Sequence, residues 1–153
     1  MAEGSRAIVG VLCDCQTVDG VDYDVVRARY LEALHLTAGV VPVLIPGGLT
    51  DKELRGCLSA FNGLLLTGAA SNVSPSRYGG PKALRDWRMV LLSIARSVDG
   101  VIEAVSVKEA TTFAAAVQWH PEWFHAEDLL SGEIFRAFGE ACHLHVKGKM
   151  LQP

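Results

Sequence analysis

The sequence predicts a three-layer α/β domain built on a parallel sheet. Short apolar runs alternate with helical patterns through the first half, which is typical of parallel α/β proteins. In the second half, residues 100–107 and 112–119 are apolar segments joined by a short turn, which predicts an antiparallel hairpin. The 153 residues are 50% hydrophobic and 20% charged, enough for one domain with a sizeable core. We therefore expect a single domain over residues 1–153.

Three apolar runs in the first half are predicted to be strands of the parallel sheet. They are residues 7–12, 40–45 and 63–67. Pro42 lies near the start of the second run, where a missing N–H is tolerated. Two strand-helix units followed by a third strand imply right-handed crossovers. The segment 13–22, which follows the first strand, is predicted to be a polar loop.

Helical spacing of apolar side chains predicts four helices. They are residues 24–38, capped by Asp22 or Asp24 and ended by Gly39; a short helix from Thr50 to about 59; residues 84–98; and a last helix opened by Glu127 or Asp128. Thr50 with Glu53 three residues on forms a capping box. Their apolar positions are Val26, Tyr30, Leu34 and Ala38 in the first, Leu84, Trp87, Leu91, Ile94 and Val98 in the third, and Leu130, Ile134, Phe138 and Cys142 in the last. The tail 147–150 is predicted to fray.

Composition and charge exclude several classes of function. The formal net charge is -3, and no basic run or arginine-rich face indicates nucleic acid. No apolar run is long enough to span a membrane, and the N-terminal run lacks a signal-peptide pattern. We expect a soluble, cytoplasmic protein that binds neither nucleic acid nor membrane.

The cysteines and histidines do not form a recognisable metal or disulfide pattern. The four cysteines are Cys13, Cys15, Cys57 and Cys142, and Cys57 and Cys142 are predicted to be buried thiols. His143 and His145 flank Leu144, but no carboxylate or cysteine completes a four-ligand set at a known spacing. We predict no metal and no cofactor.

A His-Pro-Glu segment follows the last predicted strand. His120 and Glu122 flank Pro121, whose fixed backbone angle holds the two side chains on a stiff turn. A histidine oriented by a carboxylate is the usual general base that activates a thiol or hydroxyl. Taken alone, the pair favours the plainer interpretation of a strand-end histidine and a solvated glutamate.

The loop after the third predicted strand is a second candidate. Gly68 ends that strand, and a glycine there lets backbone N–H groups approach a ligand at the carboxyl edge of the sheet. Such a donor can stabilise an oxyanion, and Ser71 and Asn72 follow it in the same loop. A simple strand-to-loop turn is an equally good explanation of the glycine alone.

Taken together, these segments are far more specific. Residues 41–46, 66–78, 99–105 and 117–123 occur in the order seen in one family. The chain resembles class I glutamine amidotransferase-like hydrolases of the peptidase C26 type, most closely the γ-glutamyl-γ-aminobutyrate hydrolase branch. The resemblance covers roughly residues 7–80 and 99–143.

The resemblance implies a flavodoxin-like glutamine amidotransferase fold and a Cys-His-Glu triad that cleaves a small-molecule γ-glutamyl amide through a thioester. His120 matches the catalytic histidine and Glu122 its orienting glutamate. Gly68 matches the glycine whose backbone N–H lines the oxyanion hole, and Ser71 and Asn72 are expected beside it on the substrate. The resemblance leaves open whether the chain forms a homo-oligomer.

The chain departs from this family at the nucleophile. No cysteine lies in a Gly-x-Cys-x-Gly elbow, and a central block on the order of a hundred residues is missing by comparison with usual domain lengths. In one alignment, residues 84–98, with Arg85-Asp86 at their start, are the helix before the nucleophile strand. In the other, residues 88–98 lie just upstream of Asp99-Gly100.

Without the thiol, covalent catalysis is expected to be negligible. The first hypothesis is therefore a γ-glutamyl-amide hydrolase family member that is inactive alone. The second is a non-catalytic binding or interaction module that keeps the γ-glutamyl pocket or the oligomer surface. The third is a shortened product with no stable role.

Overall fold

The computed structural model describes residues 6–68 and 91–150, with side chains through residue 148. The chain divides into two compact units. One comprises Met1–Gly68 with Pro121–Pro153, and the other comprises Ala69–His120. Each unit is described by itself below.

A three-stranded parallel sheet forms the centre of the first unit. Strand β1 (Ile8–Leu12) lies between β4 (Val41–Ile45) and β5 (Gly63–Leu65). In sequence these are the first, second and third parallel strands, so their spatial order is 2-1-3, as in flavodoxin-like sheets. The predicted α/β fold with a parallel sheet is confirmed.

Strand β1 presents different side chains to the two faces of the sheet. Val9 and Val11 are fully buried in the main hydrophobic cluster. A Cβ at Gly10 would lie 2.6 Å from the Ile45 side chain and 2.9 Å from that of Leu64, so a neighbouring strand packs closely there on each side. The cluster consists of Ala7, Val9, Val11, Ala33, Leu34, Ala38, Val40, Phe135, Cys142 and Val146. The helical segments that contain Leu34 and Phe135 thus cover one face of the sheet.

A polar hairpin replaces the predicted loop after β1. Strands β2 (Asp14–Val18) and β3 (Val21–Val25) pair antiparallel. Asp19 and Gly20 connect them with φ of 52° and 78°, the positive values that a tight two-residue hairpin turn requires. The prediction of a loop over 13–22 is wrong because the Asp-Gly turn signal was overlooked among exposed, mostly polar residues. The Asp24 carboxylate accepts a hydrogen bond from the Gly47 N–H at 3.0 Å, which ties the hairpin to the end of β4.

The first helix is shorter and less regular than predicted. Helix α1 covers Ala28–Glu32 and continues as a π-helical turn over Ala33–Thr37. The Ala38 N–H bonds to the Ala33 carbonyl, five residues back, and Gly39 follows at φ 68°. The predicted start near residue 24 is wrong because residues through Val25 belong to β3. The predicted stop at Gly39 agrees with the structure.

Helix α2 (Asp51–Leu58) begins with the predicted capping box. The Glu53 N–H donates to the Thr50 hydroxyl at 3.4 Å, and the Thr50 N–H donates to the Glu53 carboxylate at 2.9 Å. The Thr50 hydroxyl also donates to that carboxylate, and these bonds hold the pKa of Glu53 below its usual range. Reciprocal capping of this kind satisfies backbone donors that the first helical turn leaves unpaired.

The second unit contains an antiparallel sheet. Strands β6 (Leu91–Arg96), β7 (Ile102–Val107) and β8 (Ala115–Val117) lie in that order. The β7–β8 hairpin was predicted and is confirmed. The predicted helix over 84–98 is wrong for residues 91–96, which form β6, whereas residues 84–90 lie outside the described residues.

Helix α3 (Leu129–Met150) ends the first unit. Asp128 opens it as predicted, because its carboxylate accepts the Ser131 N–H at 2.7 Å. The helix continues through residues 147–150, which were predicted to fray. Its buried positions are Ser131, Gly132, Phe135, Gly139, Cys142 and Val146. Leu130, which was predicted to face the core, is 56% exposed. The buried residues of the helix thus lie about one position further towards its C-terminus than predicted.

No helix within residues 6–68 and 91–150 is both long enough and apolar enough to cross a membrane.

Gly139 is the closest approach of α3 to the π-helical turn. A Cβ there would collide with the Ala38 carbonyl oxygen and would lie 2.8 Å from the carbonyl carbon. We expect Gly139→Ala to lower the free energy of unfolding by about 1–3 kcal/mol, the usual cost of overpacking, which outweighs the better helix propensity of alanine. Urea unfolding followed by circular dichroism measures the change.

Gly148→Ala is the matched control on the same helix. A Cβ there meets nothing within 4 Å, so the change should be neutral or stabilising by up to about 1 kcal/mol. Equal stability of the two variants would contradict the described packing of α3 on Ala38.

Candidate functional site

Glu122 has an ionisable side chain and is nevertheless buried. It lies in a 3₁₀ turn, Pro121–Trp123, and is 1% exposed. Pro121 is also buried. A carboxylate removed from water to this degree needs hydrogen-bond donors around it, because the desolvation cost is otherwise several kcal/mol. The plainer expectation of a solvated glutamate is therefore wrong.

Tyr30 contacts the end of β5. This α1 tyrosine is 7% exposed, and its hydroxyl accepts a hydrogen bond from the Gly68 N–H at 3.3 Å. Burial raises the pKa of Tyr30, the Gly68 N–H lowers it, and the nearby Glu122 raises it again. The phenol accordingly stays protonated near neutral pH.

Two further contacts hold the segment after Pro121 against the first helix. The Arg29 guanidinium lies over the Trp123 ring, 5.6 Å from its centroid. The Thr37 hydroxyl and His125 Nδ1 are hydrogen-bonded at 2.6 Å, and His125 is 7% exposed. Residues of α1 and the π-helical turn thus contact the chain directly after Glu122.

The carboxyl end of β5 is tied to β1 as well as to Tyr30. The Thr67 hydroxyl donates to the Leu12 carbonyl at 3.3 Å. Because β1 and β5 are parallel, Gly68 lies at the edge where parallel α/β sheets bind ligands. Ser71 and Asn72, also predicted for this site, lie outside the described residues.

His120 is the last residue of the second unit, whereas Glu122 belongs to the first. His120 is exposed, and Pro121 alone separates it from Glu122 in sequence. Exposure leaves its imidazole accessible to a ligand or to a nucleophile. Its role as a general base stays a prediction.

The four thiols lie in different surroundings, and two are poorly suited to attack. Cys13 follows β1 and is 7% exposed, and both burial and the nearby Asp24 raise its pKa. Cys142 is buried in the core under α3, and burial raises its pKa to about 11. The thiolate is the nucleophilic form, so both shifts disfavour attack.

The other two cysteines lie on elements far from an elbow geometry. Cys57 is within α2, partly buried, and its S–H donates to the Leu54 carbonyl at 3.2 Å. It was predicted to be buried and is buried only in part. Cys15 is exposed on β2. In the part of the chain that the structure describes, no three His, Cys, Asp or Glu side chains cluster as metal ligands.

Tyr30 was missed as a site residue because its helical spacing with Val26 and Leu34 marked it as core. A usable signal was present in its type, because a buried tyrosine hydroxyl usually finds a hydrogen-bond partner. Nothing in the sequence spacing indicated that this partner is the Gly68 amide.

The 2-1-3 parallel sheet with helical segments packed on it has the features of a class I glutamine amidotransferase-like fold. Residues 7–90 and 83–122 match the family model described as Peptidase C26. Together they cover more than half of the 153 residues, so the chain belongs to the Peptidase C26 family.

Curated relatives match over a shorter stretch. The chain is 51% identical over 55 residues to the γ-glutamyl-γ-aminobutyrate hydrolase PuuD of Escherichia coli strain K12, which is 36% of this chain and 21% of that protein. The γ-glutamyl-γ-aminobutyrate hydrolase of Shigella sonnei strain Ss046 gives the same values. The γ-glutamyl-γ-aminobutyrate hydrolase of Shigella flexneri is 49% identical over 55 residues, again 36% of this chain and 21% of that protein. The matched stretch thus spans about a fifth of the length of these relatives.

The family match also bears on the two alignments around residues 84–98. The second matched segment runs from 83 to 122, so it contains residues 88–98 together with Asp99. Strand β6 pairs with β7, as expected if both belong to the same part of the fold. These observations favour the second alignment. The two matched segments overlap at residues 83–90.

The thiol environments predict an order of alkylation. In native protein we expect iodoacetamide to modify Cys15 first and Cys142 last. A rise in pKa from 9.0 to about 11 lowers the thiolate fraction of Cys142 about 100-fold, since each pKa unit is tenfold. Burial of Cys13 and Cys142 slows access further. Peptide mass spectrometry of timed samples gives the four rates.

The same protein in urea is the control, because unfolding should bring the four rates close together. Fastest modification of Cys13 in the native state would show an activated thiol at the sheet edge and would contradict the assignment of this residue as unreactive.

Proposed function

We propose that this chain is a γ-glutamyl-amide-binding member of the Peptidase C26 family that does not hydrolyse its ligand by itself. The observation that carries the proposal is the burial of Glu122 in the same unit as the sheet edge, where the Gly68 N–H donates to the hydroxyl of buried Tyr30. The names of the curated relatives support γ-glutamyl-γ-aminobutyrate as the class of ligand.

The complete reaction in a Cys-His-Glu enzyme needs a thiol at the carbonyl carbon. The thiolate attacks the γ-amide, the carbonyl oxygen becomes an oxyanion, and the amine leaves with a proton from the histidine. Water then cleaves the thioester and releases glutamate. In this chain His120 would move the proton and Glu122 would orient the imidazole. The Gly68 N–H would stabilise the oxyanion by exchanging its hydrogen bond to the Tyr30 hydroxyl for one to the ligand oxygen.

The nucleophile is the missing member of this set. None of the four cysteines has the Gly-x-Cys-x-Gly surroundings of an elbow, and burial disfavours the thiolates of Cys13 and Cys142. The family match comes in two segments that overlap at residues 83–90, which supports a junction there between parts of the fold that the elbow block would otherwise separate. Removing one triad member removes nearly all covalent catalysis, so turnover should be negligible.

The second candidate is a non-catalytic interaction module whose partner is another protein chain. It differs from the first in that γ-glutamyl ligands would not bind. If a partner supplied the absent strand and thiol, mixing the two would restore cleavage. A cytoplasmic location and a homo-oligomer also stay predictions.

A paired turnover and binding assay tests the proposal. We expect no cleavage of γ-glutamyl-γ-aminobutyrate by the purified protein, measured as glutamate release, but saturable binding of the same compound by calorimetry. Glu122→Gln and His120→Ala should each weaken binding, by roughly tenfold if one charge-assisted hydrogen bond is lost or misplaced.

Glu140→Gln and His145→Ala are the matched controls, because both residues are exposed on α3. Cleavage that a thiol alkylator abolishes would overturn the claim of inactivity. Absence of binding in the unmodified protein would instead favour the interaction module.

A further inference from the structure

We propose that His125 is a positioning residue that holds the turn carrying Glu122 in place through its hydrogen bond to Thr37. The Thr37 hydroxyl and His125 Nδ1 lie 2.6 Å apart, although the two residues are 88 positions apart in sequence. We call this bond the His125–Thr37 clasp. Its importance for ligand binding rests on the proposed function, whereas the clasp itself is a feature of the fold.

Packing against α3 holds the imidazole of His125 in one place. His125 is 7% exposed, and its ring meets the ring of Phe135 edge-on, with centroids 6.4 Å apart and planes at 76°. Phe135 belongs to the main hydrophobic cluster. A Cβ at Gly132 would lie 3.0 Å from the His125 carbonyl oxygen, so the helix passes close to the backbone as well. Both the ring and the backbone of His125 are therefore restrained by α3.

A buried imidazole needs a hydrogen-bond partner, and Thr37 supplies it. Leaving a buried polar group without a partner costs more free energy than the bond itself contributes. A hydroxyl can donate to a ring nitrogen or accept from it, so the bond is compatible with either neutral tautomer. In a regular helix, a threonine hydroxyl commonly bonds to a carbonyl of the preceding turn. Here it bonds instead to a distant segment of the chain.

The π-helical turn bears on the direction in which Thr37 faces. Over Ala33–Thr37 the helix is wound more widely than an α-helix, and the Ala38 N–H bonds five residues back to the Ala33 carbonyl. A turn that holds one more residue rotates the side chains after it about the helix axis. Such turns are often found at functional sites. We therefore attribute the direction of the Thr37 hydroxyl to this turn.

Only a short, internally bonded stretch of backbone separates the clasp from Glu122. The Phe124 N–H bonds to the Pro121 carbonyl at 3.3 Å, and the Asp128 N–H bonds to the Phe124 carbonyl at 2.8 Å. The first bond spans Glu122 and the second spans His125. A shift of His125 should therefore be transmitted to Glu122, the expected support of the general base. His125 would thus act on a ligand through Glu122 and without touching the ligand.

The clasp is the better protected of the two contacts between this segment and the first helix. The Arg29 side chain is 51% exposed and Trp123 is 46% exposed, so water weakens the attraction between them. Water competes poorly for the largely buried bond of His125. Loss of the clasp should accordingly displace the turn although the stacking remains.

Amide NMR of the full chain tests the clasp without any ligand. Thr37→Val removes the hydroxyl at nearly unchanged volume and should shift the backbone amide resonances of Glu122 and Trp123, whereas Thr37→Ser keeps a hydroxyl and should largely restore them. In a His125→Phe background, Thr37→Val should leave these resonances nearly unmoved, because no bond remains to be removed. His145→Phe is the matched control, since His145 is exposed on α3 and the response to Thr37→Val should persist there.

Equal responses in the His125→Phe and His145→Phe backgrounds would overturn the proposal, and so would equal shifts in Thr37→Ser and Thr37→Val or an unmoved Glu122 resonance. Nitrogen NMR of the imidazole covers the case in which His125→Phe does not fold. The Nδ1 resonance of His125 should move in Thr37→Val and return in Thr37→Ser, because it reports the hydrogen bond at that atom. An unmoved Nδ1 resonance would contradict the clasp.

Calorimetry with γ-glutamyl-γ-aminobutyrate then links the clasp to binding. Thr37→Val should weaken binding roughly two- to tenfold, the usual effect of one hydrogen bond, and Thr37→Ser should bind as the parent does. The titrations are made where circular dichroism shows each variant to be folded, so a residue that only stabilises the fold would leave the affinity unchanged. If the parent protein shows the NMR response but no binding, the proposed function fails and the clasp stands. If binding occurs and Thr37→Val leaves it unchanged, the positioning role is overturned.

Discussion

The contact between the turn at Pro121–Trp123 and the first helix is the constraint on which the site depends. Arg29 stacks on Trp123, and the Thr37 hydroxyl bonds to His125. Each contact is worth on the order of 1 kcal/mol. Because both Trp123 and His125 closely follow Glu122 in sequence, these contacts restrain the turn against the helix.

The turn can contact the first helix because the chain from Pro121 onward packs again on the unit that contains the parallel sheet. Residues 6–68 build the parallel sheet and first helix, and the segment from Pro121 rejoins them through α3. Gly139 makes the close approach of α3 possible, since any side chain would meet the Ala38 carbonyl. The placement of Glu122 is thereby linked to the packing of Gly139, further along the chain in α3, on Ala38. A loss of that packing would release the turn that carries Glu122.

Sequence patterns predicted the elements whose signals are local and unambiguous. The parallel strands are continuous apolar runs, and Thr50 with Glu53 is a capping box that the structure reproduces. Residues 91–96 were misassigned because Leu91 and Ile94 fit a helical period as well as a strand. Glu122 and Gly68 were predicted from the family resemblance, and their roles stay predictions. Tyr30 was not predicted as a site residue because its contact is with Gly68, which is distant from it in sequence.

The geometry of the site is separate from its chemistry. Glu122 is buried in the first unit, and the Gly68 N–H of the same unit donates to the hydroxyl of buried Tyr30. Neither feature involves a thiol. The burial of Glu122 and the contact of Gly68 therefore do not depend on a nucleophile. An intact glutamate and amide are evidence for a binding geometry, and evidence for turnover has to come from the thiol.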